Sequence, residues 1–172
     1  MENHEKYVEL VLEQERNPET FGADLDKSDI AEMKLLAERI ASLYELRKQH
    51  ELYLQKIMKK YCPNLLELAG TTIAARLIEL GKGLKRLALL PASTIQLLGA
   101  EKALFRHLKT GSRSPKYGVI INHPLIQNAP RDKKGKAARM LADKLSLCAR
   151  LDFFKGEFKA LDYRKELEDK LQ

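Results

Sequence analysis

The chain has 172 residues, 44% of them hydrophobic, and a formal net charge of +7, which is enough apolar material for one ordinary domain plus an appendage and excludes a disordered basic tail. No apolar run approaches the ~20 residues of a membrane span, and the opening MENHEKYVEL is too acidic and polar for a signal peptide, so the expectation is a soluble protein that stays where it is made. The two cysteines, Cys62 and Cys148, stand far apart with no CxxC partner; they argue against a disulfide framework or a zinc site and read as small core residues.

In chain order, the first 32 residues carry ten acids against three bases, so that end should avoid phosphate. Residues 7–15 show helical spacing, and NPETFGADLDKSD reads as a loop. From Asp29, a candidate cap with Glu32 three positions on, a helix is predicted up to Pro63. At 1.5 Å per residue it would be about 50 Å long. Ile30, Met33, Ala37, Ile40, Tyr44, Leu54, Met58 and Tyr61 follow a 3-4 spacing, with Leu36, Leu43, Leu46, Tyr53 and Ile57 on a neighbouring face. Such a helix must bury a stripe, either along its own domain or against another helix by coiled-coil self-association or pairing with a paralogue. The expected division is a helical arm over 1–62 and a compact domain over 63–172.

Beyond Pro63 the elements shorten. Asn64 with Glu67 is predicted to cap an apolar turn, Thr71 or Thr72 to start a helix ending at Leu80, and Gly81 and Gly83 to stop it. GLKRLALL, then TIQLL opened by Pro91, then AEKALFRHLK between Gly99 and Gly111 complete an all-α layer of short helices.

The positive charge is concentrated between Glu101 and Arg139, where there are ten Lys/Arg and two acids, against 21 and 22 in the rest of the chain. Lys102, Arg106 and Lys109 recur at spacings of four and three, which places them on one helix face. Arg113 lies in a turn, and Lys116 opens a short β-like or extended run to Ile121 that Asn122, His123 and Pro124 break. Pro130 to Asp132 should begin a final long helix, with Arg131, Lys133, Lys134, Lys136 and Arg139 crowding its N-terminus. The helix dipole already favours anions there, and Gly135 would leave room for a close backbone approach. A polyanion, most simply nucleic acid phosphate, suits this segment; a solvated cationic face is the other reading. An uncharged stretch from Tyr117 to Pro130 separates the cationic groups, which suits a surface that meets RNA and protein together.

No enzyme is indicated. His4, His50, His107 and His123 lack a nearby Ser, Cys or carboxylate at nucleophile or metal-ligand spacing, and no Walker or dinucleotide motif occurs. No cofactor and no metal are expected, and Ser112 and Ser114 read as turn residues. The Pro91 and Gly99 punctuation resembles helix-hairpin-helix modules, which keeps a general DNA-binding protein open as an alternative beside a coiled-coil interaction protein.

The segments ASTIQLLGAEKALFRHLKTG, PKYGVIINHPLI and APRDKKGKAARMLADKLSLCARLDFF, in that order, resemble the Nop domain of box C/D ribonucleoprotein core proteins and their spliceosomal relatives. The resemblance runs from about Asp29 to Phe158, and LAERIASLYELRKQHELYL matches the family's preceding coiled coil. It implies an all-α RNA–protein recognition module that docks on a kink-turn RNA held by a small ribosomal-protein-like partner. Its RNA face would include Lys102, Arg106, Lys116, Arg131, Lys136 and Arg139, joined on charge alone by Lys109, Arg113 and Lys133. His123, Ile126 and Gln127 would lie nearer the partner protein. The setting implied is the cytoplasm of an archaeon or the nucleus or nucleolus of a eukaryote. Because only about 28 residues precede the long helix, the chain is not expected to recruit fibrillarin through an N-terminal domain.

Overall fold

The computed structural model describes residues 4–13 and 25–171; most of the predicted NPETFGADLDKSD loop and the end of the predicted 7–15 helix lie outside them. The described residues are all-α and contain no strand. By packing, the chain divides into Met1–Tyr53 and Leu54–Gln172.

In the first unit, α1 spans His4–Glu13, and α2 begins at Lys27 and continues to Tyr61 in the second unit. The predicted cap at Asp29 is corrected: the Asp26 carbonyl accepts the first helical bond, from Ile30 N at 3.1 Å. Asp29 sits in the first turn, where its charge complements the dipole. Of the two apolar sets on α2, Leu36, Leu43, Leu46, Tyr53 and Ile57 are exposed, as are Ile30, Met33, Leu54 and Tyr61 of the other, of which Ala37 and Met58 are buried.

The second unit is built around one helix. After Met58 and Cys62 enter its core, α3 (Pro63–Ala69), α4 (Thr71–Leu80), α5 (Leu84–Leu89), α6 (Ala92–Leu97), α7 (Glu101–Thr110), a 3-10 turn (Val119–Asn122), α8 (Pro124–Gln127), α9 (Lys134–Phe153) and α10 (Ala160–Leu171) follow. Pro63 ends α2 and opens α3, because its fixed φ and missing N–H suit a first helical position. The central helix is α9, which packs against α3, α5, α6, α8 and α10. Its buried face is Ala137, Ala138, Leu141, Ala142, Leu145, Ser146, Cys148 and Ala149, and the small side chains let neighbouring helices approach closely. Burial raises the thiol pKa to about 11 at Cys62 and about 12 at Cys148, so both remain protonated and unreactive.

Two expectations here are overturned. Asn64 does not cap its own helix; it is buried, and the carboxylate of Asp152 on α9 accepts from Asn64 N at 3.0 Å and Leu65 N at 2.8 Å. Asn64 Oδ1 in turn accepts from Lys159 N at 2.7 Å and Ala160 N at 3.2 Å, serving the start of α10. The helix that begins after Pro130 is also not the last. It stops at Phe153, Lys155 takes φ 55°, Gly156 N bonds the Leu151 carbonyl at 2.8 Å, and α10 follows. Gly156 is an ordinary helix-stop signal that apolar periodicity alone passes over.

Candidate nucleic-acid interface

The first cationic group stands on α7. Gly99 N donates to Glu101 Oε1 at 2.7 Å at one end, and Gly111, at φ 66°, closes the other with its N–H on the His107 carbonyl. No residue of α7 is buried, and Lys102, Arg106 and Lys109 are exposed. Phe105 and Leu108 are exposed beside them, at 62% and 69%. Sequence reading missed this pair, although an aromatic three residues from Lys102 and four from Lys109 was its signal. An exposed ring among cations is a surface on which an unpaired base can stack. The Nδ1 of His107 hydrogen-bonds the Ser112 carbonyl and holds the chain as it leaves α7.

The second group forms where the chain returns to the core. Among the described residues no strand forms over 116–121, and Val119–Asn122 is a 3-10 turn. Instead Gln96 Nε2 donates to the Lys116 carbonyl at 2.6 Å, Gly118 N to Gln96 O at 2.7 Å and Val119 N to Leu98 O at 2.8 Å. These bonds seat the segment on the end of α6 and deliver Ile120 to the core, fully buried. Lys116 thereby lies beside the start of α9: a Cβ placed on Gly135 would be 3.7 Å from its Cδ. The space at Gly135 thus holds a lysine stem rather than standing vacant for a ligand.

Around α9 itself, Arg131 and Lys133 are exposed in a turn closed by Lys133 N and Lys134 N on the Pro130 carbonyl, at 2.9 and 3.0 Å. The helix therefore begins at Lys134, later than Pro130 to Asp132 suggested, because the turn bonds precede the helical ladder. Lys136 and Arg139 are exposed on its first turns, and Arg113 is exposed in the preceding loop. Arg139 also lines a recess with Gln96, the residue that holds Lys116.

Between the cationic groups lies the neutral loop. His123 and Ile126 face inward, at 8% and 0% exposure, while Asn122, Pro124 and Gln127 are exposed. Gln127 Nε2 donates to the Ile121 carbonyl at 2.8 Å. His123 Nε2 donates to the Leu68 carbonyl at 2.9 Å, and Nδ1 accepts from Leu125 N at 3.2 Å, which assigns one neutral tautomer. Its role visible here is to hold the loop and cap α8.

Burial lowers the pKa of His123 from 6.5, the Leu68 bond pulls it partly back, and Arg164 lowers it further. The unfolded chain therefore binds this proton more readily. The stability that neutral His123 contributes is present above pH 6.5 and is lost as the pH falls from 6.5 through the lower folded value. Melting temperatures at pH 7.5 and 5.5 are expected to show a loss that is smaller in His123→Asn, which cannot titrate; an equal loss in both proteins would show that another group is responsible.

Residues 2–172 match the family model described as Nop, snoRNA binding domain, fibrillarin. The chain is 46% identical over 153 residues to a protein of Methanocaldococcus jannaschii described as an uncharacterized NOP5 family protein, covering 89% of this chain and 37% of that protein. It is 38% identical over 179 residues to nucleolar protein 56 of Caenorhabditis elegans, covering 100% of this chain and 36% of the relative. Among solved structures it matches a chain of the fibrillarin/Nop5p complex with a TM-score of 0.64 and 35% identity, covering 86% of this chain and 56% of that one. The chain thus spans little more than a third of the length of these curated relatives.

Proposed function

The chain belongs to the Nop family, and from that premise we propose that it is a non-catalytic ribonucleoprotein scaffold that recognises RNA and a protein partner together. The observation that carries this reading is the division of one helical unit into exposed cationic groups on α7, at Lys116 and at the start of α9, with an uncharged loop between them. Phosphate binding is served by Lys102, Arg106, Lys109, Arg113, Lys116, Arg131, Lys133, Lys136 and Arg139. The loop carrying His123, Ile126 and Gln127 meets the protein partner, with Asn122, Pro124 and Gln127 at its surface and His123 and Ile126 as its frame.

The finer proposal is a kink-turn RNA of box C/D type already held by a small ribosomal-protein-like protein. In a gel-shift assay, binding to such an RNA is expected to rise sharply once the small protein is prebound. Equal binding to bare duplex DNA would sink the reading in favour of a general DNA binder. Lys116→Glu or Arg139→Glu should weaken assembly and flatten the log–log salt slope by about 0.7 to 0.9 for each lost phosphate contact. An unchanged slope would remove that residue from the RNA face.

The exposed Leu36, Leu43, Leu46 and Tyr53 of α2 support pairing with another helix, in a second copy or a paralogue. The solved chain that it resembles comes from a fibrillarin/Nop5p complex, which supports fibrillarin as a member of the assembly, against the expectation stated above. No residue of this chain is assigned to that contact. The nucleolar and archaeal relatives support a nucleolar setting or its archaeal counterpart.

A further inference from the structure

Beside the Lys116 contact, α6 and α9 flank an open surface recess of about 390 Å³ lined by Ala92, Ser93, Gln96, Arg139, Met140 and Asp143. Its chemistry does not suit phosphate. Asp143 is exposed and, among the described residues, forms no ion pair, although Arg139 lies one helical turn away. The adjacent Lys144 does not neutralise it, because its Nζ is 2.5 Å from Glu166 and lies over the Tyr163 ring at 4.5 Å. A free carboxylate on a cationic surface lowers the attraction for a phosphate backbone. It suits a ligand group that offers N–H donors, and the apolar Ala92 and Met140 together with Ser93 and Gln96 suit the face and edge of a planar heterocycle.

We infer that this recess takes one unstacked guanine of the bound RNA, its N1–H and N2–H donating to the two carboxylate oxygens of Asp143 while Arg139 meets the adjoining phosphate or stacks on the base. Guanine is the standard base with two adjacent donors on its Watson–Crick edge; cytosine, adenine and uracil each offer one donor group there. Base edges are read in this way when RNA is single-stranded and its bases are splayed out. The inference rests on the RNA-binding reading above and adds base selectivity to a surface otherwise blind to sequence.

The test follows backbone amide shifts of the isotope-labelled full chain during titration with r(AAGAA), r(AAAAA), r(AACAA), r(AAUAA) and GMP. The expected result is that r(AAGAA) shifts Ser93, Gln96 and Asp143 and binds about tenfold more tightly than the other pentamers, as one bidentate base contact allows. Asp143→Asn should abolish that preference while leaving the binding of r(AAAAA) unchanged or stronger. Equal affinity for all four pentamers, no shift at these residues, or a guanine preference that survives in Asp143→Asn would overturn the inference. GMP binding as tightly as r(AAGAA) would assign the recess to a free nucleotide and overturn its assignment to RNA. Kink-turn assembly without guanine preference would remove this inference alone, whereas failure of assembly would remove the scaffold reading itself.

Discussion

Asn64→Ala is expected to destabilise the domain by about 3 kcal/mol, lowering its melting temperature by roughly 10 °C. The side chain is buried and joins three helix ends. Its Nδ2 donates to Asp152 Oδ1 at 2.9 Å and to the Glu157 carbonyl at 3.3 Å, and its Oδ1 accepts from the first backbone N–H groups around α10 at 2.7 and 3.2 Å. Truncation leaves those partners buried and only partly satisfied, at about 1–3 kcal/mol for each group that water cannot reach. Burial pushes the Asp152 carboxyl above its ordinary range, and the donors from Leu65 and Asn64 pull it back in part. Loss of the Asn64 amide should therefore raise it further. Thermal melts followed by circular dichroism measure the effect; a change below about 1 kcal/mol would show that water replaces the amide.

Gly118→Ala is expected to cost at least about 3 kcal/mol, beyond the usual range for overpacking, and to weaken assembly on the composite RNA–protein surface by at least tenfold. A close backbone neighbour demands glycine at Gly118. A Cβ there would lie 1.9 Å from the Leu98 carbonyl oxygen and 2.7 and 2.8 Å from backbone carbons, none of which is a flexible side-chain tip. The segment would have to lift from α6, breaking the bonds from Gly118 N and Val119 N, drawing Ile120 out of the core and carrying Lys116 away from α9. Gly99 serves the same junction at φ 87°, where an added Cβ would meet Val119 Cγ2 at 2.5 Å. Denaturant unfolding and gel shift together test this. Wild-type stability and affinity in the variant would mean that the segment is not seated as described.

The helices of the second unit were legible because their punctuation is local. Pro63, Gly81, Gly83, Pro91, Gly99 and Gly111 act on their own backbone, and each marks a helix end in the structure. The exposed cations were legible for a similar reason: a charge cluster needs no partner to be recognised. Lys116 to Ile121 misled because VII has the composition of a strand, and whether such a run becomes one depends on a neighbour that sequence periodicity cannot see. His123 shows the same limit: its neighbours in sequence mark a loop, whereas its bond to Leu68 lies 55 residues away.

By itself the sequence determined the all-α class, the short helices and their stops, the long helix, the position of the cationic segment and, through three ordered motifs, the Nop family. These are properties of local backbone preference and of side-chain chemistry that folding does not alter. Only the tertiary structure decided that Asp152 caps α3 and Asn64 caps α10, that Lys116 is held beside Gly135, that His123 and Ile126 face inward, and that Asp143 shares a recess with Gln96 and Ser93. Each of these joins residues tens of positions apart, or assigns a side chain to one side of a packed interface. Both are consequences of burying α9 against its neighbours, which no local pattern encodes.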